Sequence, residues 1–366
     1  MNQRFKLHAL CAIAVGLLGC AQVGPADSAS TASDHARTVA AAEREGAVVV
    51  YSVTSAVPEL LEDFQQLYPK VKLDYKSFDT GPLYEQVIKE SAAGTTGDVI
   101  WSSAMDLQVK LVADGYAMTY RSPEASHIPA WAVWRDQAYG TTFEPVGFVY
   151  NKTMIDAADV PRTRADLIKL LSAQRSKYKG RITAFDPANS GLGYMLMTQD
   201  QVASTAFWDT AKALGEAGVY PATGSGAQFL RIGKGESVIG YNLLTSYATG
   251  RIKKDLPQLA VVLPADHTLV MSRVMFISKN AAHPNAAKLW LDYVLSKRGQ
   301  EILSRLDLGS LRADVAGDMT PQALSARLGS ALKPIPIGPA LLTPLEADKR
   351  ETFLRDWNAN VVQARR

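Results

Sequence analysis

The sequence predicts an α/β protein made of two consecutive blocks of strands and helices. Three observations carry that expectation. Short apolar runs alternate with segments of helical spacing three times before residue 115, and the alternation starts again after residue 145. The opening run, Ala47-Val48-Val49-Val50-Tyr51, is continuously apolar, as in strands covered on both faces of a parallel sheet. The length, 366 residues, amounts to roughly two domains at about 150 residues each. With 47% apolar and 20% charged residues the chain is no disordered polymer, and a net charge of +3 gives no electrostatic case for nucleic acid.

The chain begins with an export leader. Arg4 and Lys6 form a basic start, an apolar run extends from Ala9 to Leu18, and a small residue precedes Cys20. The run is shorter than the about 20 apolar residues that a membrane-spanning helix needs. Leu17-Leu18-Gly19-Cys20 resembles the bacterial lipobox, in which the Cys is lipidated and becomes the first mature residue. A plain cleaved signal is the alternative. Ala21 resembles the sorting residue of outer-membrane lipoproteins. Loss of residues 1–19 removes Arg4, Lys6 and Cys11, so the basic count falls from 39 to 37 against 36 acids and the net charge becomes +1. One Cys then remains, which leaves the folded part without thiol chemistry or a Cys metal site. Residues 20–38, rich in Ala, Ser, Thr and Asp, read as a flexible tether.

In the first block, the strand at 47–51 is followed by Val57, Leu60, Leu61, Phe64 and Leu67 on one helix face. Residues 71–75 alternate as a strand, and Leu83, Tyr84, Val87 and Ile88 mark a second helix. Residues 98–101 form a third strand. Leu107, Leu111 and Val112 mark a third helix, with Gly115 where a C-terminal cap belongs.

In the second block, residues 146–150 read as a strand. Thr163 followed by Asp166 three residues later starts a helix carrying Leu167, Leu170 and Leu171. A short strand at 181–184 precedes a helix through Phe207, Ala211 and Leu214 that ends near Gly218. Strands follow at 237–241, 259–263 and 268–277. Pro284 opens a further helix, since a first turn tolerates the missing N–H. Helical pieces broken by Pro334, Pro336, Pro339 and Pro344 complete the chain.

Several segments together resemble the extracellular solute-binding proteins of bacterial ABC transporters, in the ferric-iron-binding-like branch. They are EGAVVVYSVTSAVPELLEDFQQLYPK at 45–70, KSFDTGPLYEQVI at 76–88, GDVIWSSA at 97–104, HPNAAKLWLDYVLSKRGQEIL at 283–303 and LRADV at 311–315. The resemblance implies a type II periplasmic-binding-protein fold. Two lobes, each a mainly parallel sheet flanked by helices, would be joined by two crossover hinge strands. It places lobe one at 39–145 plus 270–310, lobe two at 146–269, and a C-terminal helical segment at 311–366 that packs on the lobes. It also implies a monomer in the periplasm that captures a small solute in the interlobe cleft, closes around it and delivers it to an inner-membrane permease. A ligand-binding partner of a membrane sensor kinase is the alternative role.

Ligands of open α/β sheets bind beyond the carboxyl ends of strands, where helix N-termini offer free N–H groups. The candidate contacts are therefore Ser52, Thr54 and Ser55 after the first strand, Thr80 and Gly81 after the second, and Trp101, Ser102 and Ser103 at the third. Ser190 and Gly191, Thr223 and Ser225, and Tyr241 and Asn242 are the counterparts in the second block. Ser55, Ser225 and Asn242 could equally cap helices, and Trp101 could equally pack in the core. Arg273 interrupts an apolar stretch, where a lone charge is costly. It either forks onto a ligand carboxylate or phosphate or pairs with an acid such as Glu144.

Iron-binding members of this branch carry adjacent tyrosines after the strand corresponding to 237–241. Here Gly240-Tyr241-Asn242-Leu243-Leu244 lacks the pair, so no metal or other cofactor is expected. A small anionic or zwitterionic solute (a phosphonate, or a phosphorylated or carboxylated compound) fits the hydroxyl-rich loops better than ferric iron or a polyamine. No Gly-x-Ser-x-Gly elbow, P-loop or His-Glu-x-x-His motif points to an enzyme.

Overall fold

The computed structural model describes residues 25–55 and 57–365. The expected export leader and the candidate lipidation residue Cys20 lie outside the described residues. Among the described residues, 38–365 cluster as one compact unit and 25–37 as another. The first described element is helix α1, Pro25–Glu45. Residues 25–38 are thus helical where the sequence suggested an irregular tether; alanine, the best helix former, is frequent there. Among the described residues no helix is long and apolar enough to cross a membrane.

The alternation of the first block is built as β1 (Ala47–Ser52), α2 (Pro58–Leu67), β2 (Lys72–Ser77), α3 (Thr80–Ala93), β3 (Val99–Ser102) and α4 (Met105–Ala113). Gly115 has φ +86°, the left-handed conformation that ends α4. Strands β4 (Val133–Trp134) and β5 (Ala138–Gly140) follow, and the long β6 (Glu144–Asn151) enters the second block. That block continues with α5 (Arg164–Ala173), α6 (Arg175–Tyr178), β7 (Ile182–Phe185), α7 (Gly191–Ala203), α8 (Phe207–Glu216), β8 (Tyr220–Ala222), α9 (Ser225–Gly233), β9 (Ile239–Leu244), α10 (Thr245–Lys254) and β10 (Leu259–Val262). The chain then returns through β11 (Thr268–Met271) and β12 (Val274–Ile277) to α11 (Pro284–Leu295) and α12 (Lys297–Arg305). It ends with α13 (Pro321–Leu328), β13 (Leu332–Pro334) and α14 (Ala347–Trp357).

Two sheets result, in the orders β2-β1-β3-β12-β5-β4 and β13-β11-β6-β9-β7-β8, with β10 also on β6. The α/β units pair in parallel, β2-β1-β3 in one sheet and β8-β7-β9 in the other. The crossing strands run antiparallel to them. The expected strand over 268–277 is two strands, one in each sheet, because Ser272-Arg273 carries the chain from one lobe to the other. The second crossing is Thr141–Phe143, between β5 and β6. The two lie side by side: Thr141 N donates to Arg273 O (2.9 Å), Arg273 N to Thr142 Oγ1 (2.9 Å) and Thr142 N to Ser272 Oγ (3.1 Å).

One apolar cluster fills the first lobe around Phe64, Trp101 and Trp290; the Phe64 and Trp290 rings meet edge-on at 4.9 Å. The other fills the second lobe and continues over the lobe boundary to Leu83, Met105 and Val109. The C-terminal segment touches both lobes. Strand β13 extends the second sheet beside β11, Ile337 N donates to Trp131 O, and Phe353 and Trp357 of α14 pack on Phe207.

Candidate functional site: the interlobe cleft

Strand register fixes where the cleft lies. Val274, the first residue of β12 after the crossing, pairs with Ser102, the last of β3, while Ser52 is level with Ser77 and Trp101. The carboxyl ends of β1, β2 and β3 therefore sit beside the crossing. In the second sheet Val146, near the start of β6, pairs with Leu244, the last residue of β9, and β7 and β8 run parallel to β9. Their carboxyl ends face the same crossing from the other side. Each of the six ends feeds a helix N-terminus, whose first N–H groups have no partner within the helix.

Most of these N-termini are left without a side-chain cap. At the starts of α2, α3, α9 and α10 the N–H groups donate to no side chain of Val57, Asp79, Gly224 or Leu244, whereas at α4 Leu107 N donates to Asp106 Oδ1. At α7, Ser190 Oγ does accept from Gly193 N at 3.1 Å. Ser190 is thus a cap, whereas Ser55 and Ser225, for which capping was the alternative, are not. Ser55 and Thr223 are exposed, and Gly81 is half-buried. The lobes meet where Thr80 faces Gly191. A Cβ on Gly191 would stand 3.2 Å from Thr80 Oγ1 and 3.5 Å from Leu107 Cδ1, so glycine permits this approach. Ser52 Oγ and Ser102 Oγ accept from the N–H two residues on, at Thr54 and Ala104, which shapes their loops. Ser103 is buried beside them.

Three sequence expectations are corrected. Trp101 is fully buried with its indole N–H on Thr141 Oγ1 at 2.8 Å, so it packs beneath the crossing instead of facing a ligand. Tyr241 and Asn242 do not end their strand. Strand β9 runs on through Leu243 and Leu244, which pair with Gly147 and Val146 on β6. Both residues join a buried polar cluster in which Tyr241 Oη bonds Asp200, Asn242 Nδ2 donates to Asp200 (2.8 Å) and Arg164 pairs with Asp200 (2.7 Å). Burial works to raise the Asp200 carboxyl, but Arg164 and His267 outweigh it and hold the group below its ordinary value. Burial and the neighbouring Asp200 push the Tyr241 phenol well up. Arg273, finally, carries no free charge. Its Nε and Nη2 fork onto Glu144 at 2.8 and 3.0 Å, and its Nη1 donates to Thr54 Oγ1 at 3.0 Å. Burial disfavours the guanidinium charge, yet the Glu144 carboxylate more than offsets this, so Arg273 stays ionised.

The residues that follow β9 are Thr245, Ser246 and Tyr247. Thr245 Oγ1 donates to Pro145 O, Ser246 Oγ donates to Glu144 Oε2 at 2.6 Å, and the Tyr247 ring lies 4.9 Å from the Arg273 guanidinium. From the first lobe, Tyr75 Oη donates to Thr54 O. Sequence reasoning missed Tyr75, Ser246 and Tyr247. The apolar pair Leu243-Leu244 was the signal that the strand continues to a later loop.

At the start of α4, Asp106 is buried with Oδ1 on Leu107 N (2.9 Å). Burial raises its carboxyl to about 7, opposed by backbone N–H groups and by Arg350. Arg350 stacks on Tyr194 of α7 at 4.4 Å. Among the described residues no group of acids, histidines and cysteines is arranged to hold a metal ion.

A family model described as "bacterial extracellular solute-binding protein" matches residues 59–324. Among solved structures, the substrate-binding protein of an ABC transporter from Agrobacterium tumefaciens is 37% identical and superposes with a TM-score of 0.81 over 87% of this chain and 94% of that one. The periplasmic binding protein AfuA from Actinobacillus pleuropneumoniae, with fructose-6-phosphate bound, is 20% identical (TM-score 0.68, 87% of this chain, 99% of that one). Iron-bound HitA from Pseudomonas aeruginosa is also 20% identical (TM-score 0.66, 85% and 99%). The last two share the fold alone. A comparison with curated proteins gives no match.

Proposed function

The chain belongs to the bacterial extracellular solute-binding proteins, and on that premise we propose that this solute-binding component of an ABC transporter captures a small anionic or zwitterionic organic solute in its interlobe cleft for import. The observation that carries the reading is the set of four helix starts, those of α2, α3, α9 and α10, without side-chain caps around one cleft. Free N–H groups at the positive ends of helices favour carboxylate, phosphonate or phosphate oxygens. Thr80 and Gly191 meet at the lobe boundary, where glycine keeps side-chain bulk out of the cleft. Asp79, the exposed residue before α3, would receive the amine of a zwitterion. The mature net charge of +1 exerts no long-range pull on anions, so selection is local. On the same fold, AfuA holds a phosphorylated sugar. The protein works in the periplasm, tethered to a membrane through Cys20, and hands its cargo to the permease.

Calorimetric titration with sugar phosphates, phosphonates, carboxylates and polyamines tests this. Binding in one of the first three groups is expected, with an affinity that falls about tenfold in Thr80→Ala through loss of one polar contact. Tight binding of polyamines alone contradicts the anion reading.

A further inference from the structure

Four buried side chains form one continuous hydrogen-bonded chain from lobe to lobe. Thr54 belongs to the loop after β1 in the first lobe. Its Oγ1 accepts from Arg273 Nη1 at 3.0 Å, and Arg273 lies on one crossing. Arg273 forks onto Glu144 at the end of the other crossing, at 2.8 and 3.0 Å. Glu144 Oε2 accepts from Ser246 Oγ at 2.6 Å, and Ser246 belongs to α10 in the second lobe. Thr54, Glu144 and Arg273 are fully buried and Ser246 is 4% exposed, so water does not compete for these bonds.

We infer that this chain is an interlobe latch and that Thr54 is a positioning residue that holds the lobes in the arrangement of this structure. Thr54 moves with the first sheet, whereas Glu144, the first residue of β6, moves with Ser246 in the second. Rotation about the crossings must therefore stretch either the Thr54–Arg273 bond or the Arg273–Glu144 fork. Opening breaks a bond to a charged group, and such bonds are the stronger ones. The exposed Lys253–Asp307 pair also spans the lobes, at 2.7 Å, but solvent screening gives it little weight. The inference takes from the proposed function only that the lobes open and close, not the identity of the cargo.

Spin labels at the exposed positions Lys89→Cys and Lys179→Cys, with Cys11 and Cys20 changed to Ser, report the lobe separation of the solute-free protein. Thr54→Val should raise the ratio of long to short separations by about tenfold, the fold-change of one such bond. Ser246→Ala, whose bond lies within the second lobe, should leave the ratio near that of the parent. Thr54→Ser, which keeps the hydroxyl, should restore the distribution of the parent. Unchanged separations in Thr54→Val, with or without a lower melting temperature, would overturn the latch. The readout needs no solute, so its failure is distinct from a failure of the proposed cargo.

Discussion

Glu144→Gln should lower the unfolding free energy by about 3–5 kcal/mol, read from the denaturant midpoint. The substitution preserves shape but removes the charge that compensates a fully buried Arg273. Breaking one half of a buried pair costs more than the pair itself contributes, because the survivor remains ionised without water. The double replacement Glu144→Leu with Arg273→Met should therefore recover much of the loss. A cost of less than about 1 kcal/mol, typical of an exposed pair, would mean that Arg273 keeps solvent or another partner.

The second large effect is a pH dependence centred on Asp106. Burial lifts its carboxyl from the ordinary 3.8 to about 7 in the folded protein. The folded state then binds a proton that the unfolded chain releases. Its stability contribution is complete below pH 4 and is lost as pH rises through about 7. The difference converts to up to about 4 kcal/mol between pH 4 and 8. Asp292, raised to about 6 by burial although Ser122 and Tyr120 donate to it, acts in the same direction. Acids held low, such as Asp200 by Arg164 and Asp314 by Arg312 at about 2, lose their contribution only at acid pH, so the range from pH 5 to 8 isolates the raised pair. Asp106→Asn should melt close to the parent at pH 5 and clearly above it at pH 8. Parallel curves for the two proteins would show that Asp106 titrates normally.

Much of the fold was legible because its determinants are local. Thr163 with Asp166 marked a helix start, and Thr163 Oγ1 indeed accepts from Asp166 N at 3.0 Å. Gly115 and Gly218, placed at helix ends from the pattern, adopt φ of +86° and +67°. The apolar run at 47–51 became the middle of a parallel trio. The misreadings concern tertiary pairing. Nothing within Ser237–Tyr241 states that Leu243 and Leu244 will pair with β6, yet that pairing moves the loop from Asn242 to Ser246. The odd charge at Arg273 was visible, and Glu144 was a named partner. Which of two buried destinies the charge takes depends on an acid 129 residues away. The facing of Thr80 and Gly191, both among the candidate contacts, emerged only when two lobes came together.

A solute held between the six strand ends is gripped by both lobes at once, and hydrogen exchange with and without the solute identified by titration reads this out. Simultaneous slowing is expected in residues 77–84, 189–195 and 243–249, which contain the starts of α3, α7 and α10. A bound solute that protects one lobe alone, or segments outside these three, would contradict it.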